Sequence, residues 1–210
     1  MIYQVKTPNW LKKLFPGRIW EMPPIKNAIY LTFDDGPHPV ITPFVLDQLK
    51  KYNAQATFFC VGKNVLDYPD VFKKILDGGH AIGNHTYDHL DGWKTGNAKY
   101  LQNILKAKKH IDSDLFRPPY GRISTNQQKD LLRQQAATKI IMWSVLSGDF
   151  DNNITPGHCC KNVINNTTIG SVVVFHDSEK AEERLRYALP VVLKYFSEKG
   201  YLFEKIVLES

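Results

Sequence analysis

Reactive side chains recur directly after apolar runs of this sequence. Asp34 and Asp35 follow the run 28–33, and the segment His85-Thr86-Tyr87-Asp88-His89 follows the run 80–84. Three further residues have the same placement: Arg117, Asp149 and His176. Carboxylates and imidazoles bind metals and transfer protons, so the set indicates metal-assisted acid–base chemistry.

The adjacent carboxylates of Asp34 and Asp35 precede Gly36-Pro37. An Asp pair before Gly-Pro is also a common turn signal, so the segment alone leaves both interpretations open. Two neighbouring carboxylates repel each other unless a cation or hydrogen bonds offset the repulsion. With histidines nearby, the pair favours a metal site.

His85 and His89 are four residues apart, a spacing that places two side chains on one side of a helical turn. Adding the carboxylate of Asp35 gives the His₂Asp set of open catalytic zinc sites, which leave room for water. No Glu follows His85, so this is not the HExxH protease arrangement.

Arg117 ends an apolar run and is followed by Pro118-Pro119. The prolines predict a stiff loop, which is the simplest interpretation, or a rigid mount that holds Arg117 beside a carboxylate. His176 comes directly after the apolar run 172–175. A lone histidine there is more often structural, but Asp149 as its partner would favour a catalytic role. The other histidines are interpreted as turn, edge or exposed residues: His38, His80, His110 and His158.

The elements that must position these residues alternate along the chain. Strands are predicted at 28–33, 56–61, 80–84, 115–117, 139–146, 171–175 and 202–207. Helices are predicted at 42–52, 65–76, 98–111, 125–135, 156–165 and 181–199. This alternation predicts a parallel α/β fold, an incomplete barrel of seven strands in a single domain. Every reactive residue then lies at the carboxyl end of a strand, where barrel active sites assemble.

The chain of 210 residues fits one domain, and its net charge of +6 comes from scattered lysine pairs rather than a basic cluster. We expect no nucleic-acid partner, no transmembrane segment and a monomer. Residues 1–27 are predicted to cap residues 28–210, which form the catalytic domain. In that cap, Thr7 would begin a short helix and three aromatic residues would act as plugs: Trp10, Phe15 and Trp20.

The cysteine count and the N-terminus bear on the compartment. Three cysteines, two of them adjacent, do not suggest a disulfide framework, and residues 1–8 lack the apolar core of a signal peptide. A cytoplasmic location is therefore expected. An envelope-associated protein, export by another route and a start codon further upstream remain open.

Together these segments resemble the polysaccharide deacetylase family, the NodB-homology domains of carbohydrate esterase family four. The resemblance covers residues 28 to about 207 and rests on five motifs in the family's order. They are Thr32-Phe33-Asp34-Asp35-Gly36, His85-Thr86-Tyr87-Asp88-His89, Arg117-Pro118-Pro119-Tyr120, Trp143 through Phe150, and Val174-Phe175-His176. Five ordered motifs are specific where any single one is not.

The resemblance implies a distorted (β/α)7 barrel and a role for each site residue. The metal, usually Zn²⁺ with Co²⁺ as an alternative, would be bound by three residues: Asp35, His85 and His89. The resemblance makes Asp34 the general base, oriented by Arg117, and His176 the general acid, positioned by Asp149. The backbone N–H of Tyr120 would help to hold the oxyanion. The substrate side of the site would be formed by Trp143, Phe150 and Val174.

Three residues depart from the usual motifs: Ser144 in place of Asp, Phe150 in place of Trp, and Val174 in place of Leu. The last two concern the acetyl pocket, so they bear on substrate preference. The leading hypothesis is removal of N-acetyl groups from N-acetylglucosamine-type glycans such as peptidoglycan or chitin-like oligosaccharides. An O-acetyl polysaccharide esterase would use the same residues. An inert glycan-binding barrel is disfavoured because Asp34 and His176 are both retained.

Overall fold

The computed structural model describes residues 3–24 and 26–208. Nine short strands lie in this part of the chain: β1 Arg18–Ile19, β2 Ala28–Asp34, β3 Thr57–Cys60, β4 Ala81–Asn84, β5 Leu115–Phe116, β6 Lys139–Ile141, β7 Val145–Leu146, β8 Val172–His176 and β9 Leu202–Phe203. They form one sheet, and all the pairings between these strands are parallel.

Helices follow most of the strands and cover the outside of the sheet. The α-helices are α1 Asn9–Leu14, α2 Ile41–Lys51, α3 Gly62–Asp67, α4 Pro69–Asp77, α5 Asn97–Lys108, α6 Thr125–Gln134, α7 Pro156–Asn166 and α8 Glu182–Glu198. Two 3₁₀ turns lie at Gly92–Lys94 and Pro119–Gly121. Among the described residues, no helix combines the length and apolar character needed to cross a membrane.

The sheet curves into a distorted barrel. One stretch of chain, residues 139–146, supplies a strand near each of the two edges of the sheet. The strand order is β1-β6-β5-β4-β3-β2-β8-β7, with β9 paired to β2. The strands β6 and β7 both belong to residues 139–146. The first part of this stretch pairs with β5 and the second part with β8. The predicted (β/α) barrel is therefore confirmed as a fold class.

Residues from the N-terminal segment fill the places that this split strand leaves unpaired. The strand β1 lies beside β6, and Ile19 O accepts a 2.7 Å hydrogen bond from Met142 N. Beside β7, Thr7 N donates to Ser144 O at 2.9 Å and Leu146 N donates to Val5 O at 2.8 Å. Backbone groups that would otherwise be unsatisfied are thus paired.

Strand alternation divides the core into two layers. Side chains facing outward pack under the helices in the largest cluster, among them Leu31, Phe33, Phe58 and Phe175. The opposite face of the sheet carries Thr32, Asp34 and the interior cluster around Phe59, Ile141 and Val172. The buried polar groups used for chemistry therefore lie inside the barrel.

The structure corrects four predicted details. The strand 139–146 is two strands, and the helix 65–76 is two helices because Pro69 follows Tyr68 and begins a new helix. Thr7 does not cap α1. Its hydroxyl instead donates to Trp143 O at 2.7 Å, while Pro8 occupies the cap position. Trp10 is not a plug, since 61% of it is exposed, whereas Trp20 is buried.

Candidate active site

The segment Asp34-Asp35-Gly36 turns sharply at the end of β2. Asp35 has a φ of 84°, in the left-handed region, so its carboxylate points away from the direction that β2 would give it. Two hydrogen bonds fix this turn: Asn64 Nδ2 donates to Asp35 O at 2.8 Å, and Val61 N donates to Gly36 O at 2.9 Å. A non-glycine residue held in this conformation is typical of functional sites.

The two histidines of the second segment lie on an irregular loop, which corrects the expected helical turn. Thr86 and His89 have φ values of 63° and 54°. Two buried amides hold the loop: Asn84 Oδ1 accepts from Thr86 N at 2.8 Å, and Asn103 Oδ1 accepts from Tyr87 N at 2.8 Å. The histidine rings nevertheless converge, with centroids 5.1 Å apart.

Asp35, His85 and His89 bring three ligand atoms within 4.8 Å of one another. Asp35 Oδ1 lies 3.1 Å from His89 Nε2 and 3.8 Å from His85 Nε2. His85 Nδ1 lies 2.8 Å from Arg117 O, so its N–H can donate there and leave Nε2 free as a ligand atom. Two imidazoles and one carboxylate converging from three directions fit a divalent cation with an open position.

The electrostatics of this set also favour a cation. Burial lowers the pKa of His85 to about 4, so its imidazole is neutral, as a metal ligand requires. Burial raises the pKa of Asp35, but the hydrogen bond from His89 and the nearby imidazoles lower the pKa by a larger amount. The net pKa of Asp35 therefore lies below the ordinary value. Asp35 is therefore charged at neutral pH.

Asp34 and Arg117 form a buried ion pair directly beside the metal-ligating residues. Arg117 is fully buried, and its Nη1 lies 2.7 Å from Asp34 Oδ1. The other donors of the guanidinium are used as well: Nη1 bonds Thr32 Oγ1 at 2.7 Å, Nε bonds Ile141 O at 3.2 Å and Nη2 bonds Met142 O at 2.8 Å. The many partners offset the cost of burying the charge and fix the carboxylate of Asp34.

His176, at the end of β8, is paired with Asp149. Its Nδ1 lies 2.7 Å from Asp149 Oδ1, and its backbone N–H donates to Asp149 Oδ2 at 2.7 Å. Burial lowers the pKa of His176, but the charge and hydrogen bond of Asp149, with Asp35 and Asp34 further away, raise it to about 9. His176 is thus a cation at neutral pH and can donate a proton from Nε2.

The four predicted substrate residues are placed at different depths. The ring of Phe150 stands edge-on to His176 with centroids 5.2 Å apart, and Trp143 is half-buried. Val174 is buried in β8, on the same face as His176 and two residues below it. Tyr120 is 60% exposed, has a φ of 59°, and its ring lies 4.8 Å from that of His89.

Three residues at the site escaped the sequence analysis. Asp177 accepts a hydrogen bond from Gly36 N at 3.0 Å and contacts Thr42 Oγ1. Burial, with a contribution from Asp35, raises its pKa to about 8. Arg184 donates to Asp149 O, and Tyr3 lies against Phe150 with ring centroids 5.2 Å apart. Asp177 follows His176 directly, so its position just after a predicted strand could have identified it. No sequence signal indicates the other two.

The remaining histidines have structural surroundings. His38 Nδ1 accepts from Val40 N and Ile41 N, both at 3.2 Å, and so caps the start of α2. His80 Nδ1 accepts from Ala56 N at 3.2 Å, and burial lowers its pKa to about 4. His110 and His158 are exposed. None of the four belongs to the metal-ligating set.

The fold and the site define a class: a parallel α/β barrel with an Asp-His-His cation site, flanked at its mouth by a carboxylate and a protonated histidine. Comparison with known proteins agrees with this class. The family model described as polysaccharide deacetylase matches residues 21–138. The chain belongs to the polysaccharide deacetylase family and is a carbohydrate deacetylase by that membership.

Individual relatives align over most of the chain. A peptidoglycan-N-acetylglucosamine deacetylase of Bacillus cereus is 36% identical over 191 residues, 88% of each chain. A chitooligosaccharide deacetylase of Azorhizobium caulinodans is 32% identical, over 75% of this chain and 77% of that one. A crystal structure of a peptidoglycan N-acetylglucosamine deacetylase superposes with a TM-score of 0.85 at 33% identity, covering 95% of both chains. Other curated relatives are longer, and the chain spans 62% of one and 42% of another.

Proposed function

We propose that this protein removes N-acetyl groups from N-acetylglucosamine residues of peptidoglycan or chitin-like oligosaccharides, using Zn²⁺ held by Asp35, His85 and His89. The observation that carries the proposal is the arrangement of a carboxylate and a protonated histidine around one His₂Asp set. Relatives named for peptidoglycan and chitooligosaccharide deacetylation support the substrate class.

Each half of the reaction has a residue suited to it. When bound, the cation would polarise the acetyl carbonyl and lower the pKa of water to about 7. Asp34 accepts the proton of the attacking water, and Arg117 holds its carboxylate in place. The backbone N–H of Tyr120 donates to the oxyanion that forms on the carbonyl. His176 then donates its proton to the sugar nitrogen, which is a poor leaving group unless it is protonated.

The charge state of His176 favours an amide substrate over an ester. An amine leaving group needs a proton, and a histidine whose pKa is raised to about 9 holds one throughout the neutral range. An ester releases an alcohol, which depends less on a strong proton donor. We therefore propose N-acetyl rather than O-acetyl groups as the main substrate. The acetyl pocket is proposed to be formed by Trp143, Phe150 and Val174.

Acetate release from metal-stripped and reloaded protein tests this function. We expect chelation to abolish release from N-acetylglucosamine oligomers, and Zn²⁺ or Co²⁺ to restore it. The Asp34→Asn variant should lose about 10²- to 10⁴-fold in kcat while still binding the metal, because only the proton acceptor is removed. An O-acetylated glycan serves as the comparison substrate. A metal-loaded wild type that releases no acetate from either class, or no more than Asp34→Asn, would overturn the proposal.

A further inference from the structure

The N-terminal segment brings an aromatic side chain to the loop that follows β7. The antiparallel bridge between Lys6 and Val145 fixes the register of this segment against β7. Continued by three residues, the same register places Tyr3 opposite Gly148. The side chains agree with this register, because a Cβ added to Gly148 would lie 2.6 Å from Tyr3 Oη. Backbone pairing therefore delivers Tyr3 to the loop that carries Asp149 and Phe150.

Tyr3 packs on the aromatic ring that contacts the proton donor. The ring centroids of Tyr3 and Phe150 are 5.2 Å apart, with the ring planes tilted by 58°. The other contact of the Phe150 ring is edge-on to His176, also with centroids 5.2 Å apart. Tilted and edge-on aromatic pairs at this distance are favourable contacts. Phe150 thus contacts a residue of the N-terminal segment as well as the proton donor.

The hydroxyl group of Tyr3 is anchored as well as its ring. Burial raises the pKa of Tyr3 to about 12, with contributions from the charge and the hydrogen bond of Asp151. The phenol is therefore protonated at neutral pH, and its O–H lies beside the carboxylate of Asp151, the residue that follows Phe150. A ring held at its face and at its hydroxyl group has little freedom to move away from Phe150.

The backbone around Phe150 is fixed by a different residue, which leaves the ring as the part that Tyr3 controls. Arg184 Nε donates to Asp149 O at 2.6 Å, and Arg184 Nη2 donates to Asn152 Oδ1 at 2.6 Å. Beside the ring lies a cavity of about 230 Å³, lined by Lys180 and residues 150–153. A side chain next to open space can change its rotamer unless a neighbour blocks the movement. Tyr3 is such a neighbour.

We propose that Tyr3 is a positioning residue that sets the acyl selectivity of the enzyme by holding the ring of Phe150 in the wall of the acetyl pocket. This inference rests on the proposed function, in which Phe150 forms that pocket with Trp143 and Val174. With Tyr3 in place, the pocket is closed at the length of an acetyl group. Without it, the Phe150 ring turns away and the pocket admits a longer group such as propionyl.

Comparison of two acyl groups tests the role of Tyr3. We would measure kcat and KM on N-acetylated and N-propionylated chitotriose for the wild type, Tyr3→Ala and Tyr3→Phe. The wild type should prefer the acetyl substrate. Tyr3→Ala should narrow this preference by about tenfold, the lower end of the discrimination that one methylene group gives. The narrowing should come from a lower KM for the propionyl substrate. Tyr3→Phe keeps the ring and should retain most of the preference.

A double-mutant cycle tests whether Tyr3 acts through Phe150. Phe150→Ala should itself narrow the preference, and adding Tyr3→Ala to it should change nothing further. The matched control is Tyr195→Ala on α8, which removes a half-buried tyrosine that packs on Phe196 with ring centroids 5.0 Å apart. It should leave the acyl preference unchanged. An unchanged preference in Tyr3→Ala, the same change in Tyr195→Ala, or additive effects in the double variant would overturn the inference.

Binding provides a readout independent of turnover. In the Asp34→Asn background, calorimetry gives the affinities for the two trisaccharides with and without Tyr3→Ala. We expect Tyr3→Ala to tighten binding of the propionyl compound relative to the acetyl compound. A relative affinity that Tyr3→Ala leaves unchanged would refute the role of Tyr3. A wild type that binds both trisaccharides and releases no acetate would refute the proposed function instead.

Discussion

At the scale of single residues, the site depends on neighbours that set charge states. Asp149 raises the pKa of His176 against the effect of burial. The guanidinium of Arg117 forms a buried ion pair with the carboxylate of Asp34. The proton acceptor and the proton donor thus have neighbours of opposite charge. The consequences can be measured one substitution at a time.

The Asp149→Asn variant should shift the alkaline limit of activity. His176 is protonated below its pKa of about 9, so the acid is lost as the pH rises through that value. Without the charge of Asp149, burial lowers the pKa of His176 with less opposition, and the alkaline limb of kcat should move to lower pH by more than one unit. The measurement is kcat between pH 5 and 10. Asp151→Asn, a similar change two residues away, should leave the limb in place. An unmoved limb in Asp149→Asn would exclude His176 as the acid.

Asp177 should matter for metal binding although it touches no ligand atom. Its carboxyl group accepts from Gly36 N and contacts Thr42 Oγ1, which holds the turn that aims Asp35. Asp177→Ala leaves buried groups unpaired, so we expect a loss of about 2 kcal/mol in the free energy of unfolding and about tenfold weaker Zn²⁺ affinity.

Denaturant titration and metal titration measure the two effects of Asp177→Ala separately. Asp177→Asn is the control, because its amide oxygen still accepts from Gly36 N. It should retain most of both properties. If Asp177→Ala binds Zn²⁺ as tightly as the wild type, then the turn does not depend on this side chain.

At the scale of elements, Asp34 and His176 are the last residues of β2 and β8, whereas the three metal-ligating residues lie on the loops that follow strands. Asp35, Thr86, His89 and Tyr120 all have positive φ values. Buried amides and a carboxyl group hold these loops, so the scaffold compensates for backbone strain of order 1–3 kcal/mol per residue. The 3₁₀ turn Pro119–Gly121 illustrates how tight the packing is.

Gly121→Ala should disturb this turn. Gly121 has a φ of 69°, and an added Cβ would lie 2.6 Å from Trp143 Cη2. We expect a loss of about 2 kcal/mol in stability and a lower kcat/KM, because Trp143 and Tyr120 must both move. Thermal denaturation and acetate release measure the outcome. Gly157→Ala, at a position where a Cβ meets no atom within 4 Å, is the matched control and should be nearly neutral. Equal behaviour of the two variants would contradict the explanation.

At the scale of the whole molecule, the N-terminal segment is built into the barrel wall. It contributes β1 beside β6, the antiparallel bridge between Lys6 and Val145 beside β7, and Trp20 in a buried cluster that includes residues of α5 and α6. The division of the chain at residue 27, the monomeric state and the cytoplasmic location stay predictions. The three cysteines are free and buried.

Two tryptophans of this segment allow a direct test. Trp20 is 8% exposed and Trp10 is 61% exposed. Trp20→Ala should lower the free energy of unfolding by about 3–5 kcal/mol, because it leaves a cavity against Ile140 and Met142. Trp10→Ala should change it by no more than about 0.5 kcal/mol. Chemical denaturation distinguishes the two. Similar small effects would mean that the segment is only loosely attached.

The sequence by itself determined which strand ends carry the reactive residues. Apolar runs alternating with amphipathic helices predict a parallel barrel, and barrel geometry gathers strand ends at one mouth. That rule, together with the spacing of the two histidines and the family resemblance, predicted that Asp35, His85 and His89 lie together, and the structure brings their ligand atoms within 4.8 Å. Local patterns are sufficient here because each residue lies within a few positions of a strand whose direction is fixed.

Only the tertiary structure decided the features that depend on distant parts of the chain. The split of residues 139–146 follows from pairing with β5 at one end and β8 at the other, which no local pattern records. The contacts of Tyr3 with Phe150, of Arg184 with the Asp149 loop and of Asp177 with Thr42 join residues more than 30 positions apart. Hydrogen bonds and packing of this kind arise from the folded path of the chain, and so they carry no periodic signal in the sequence.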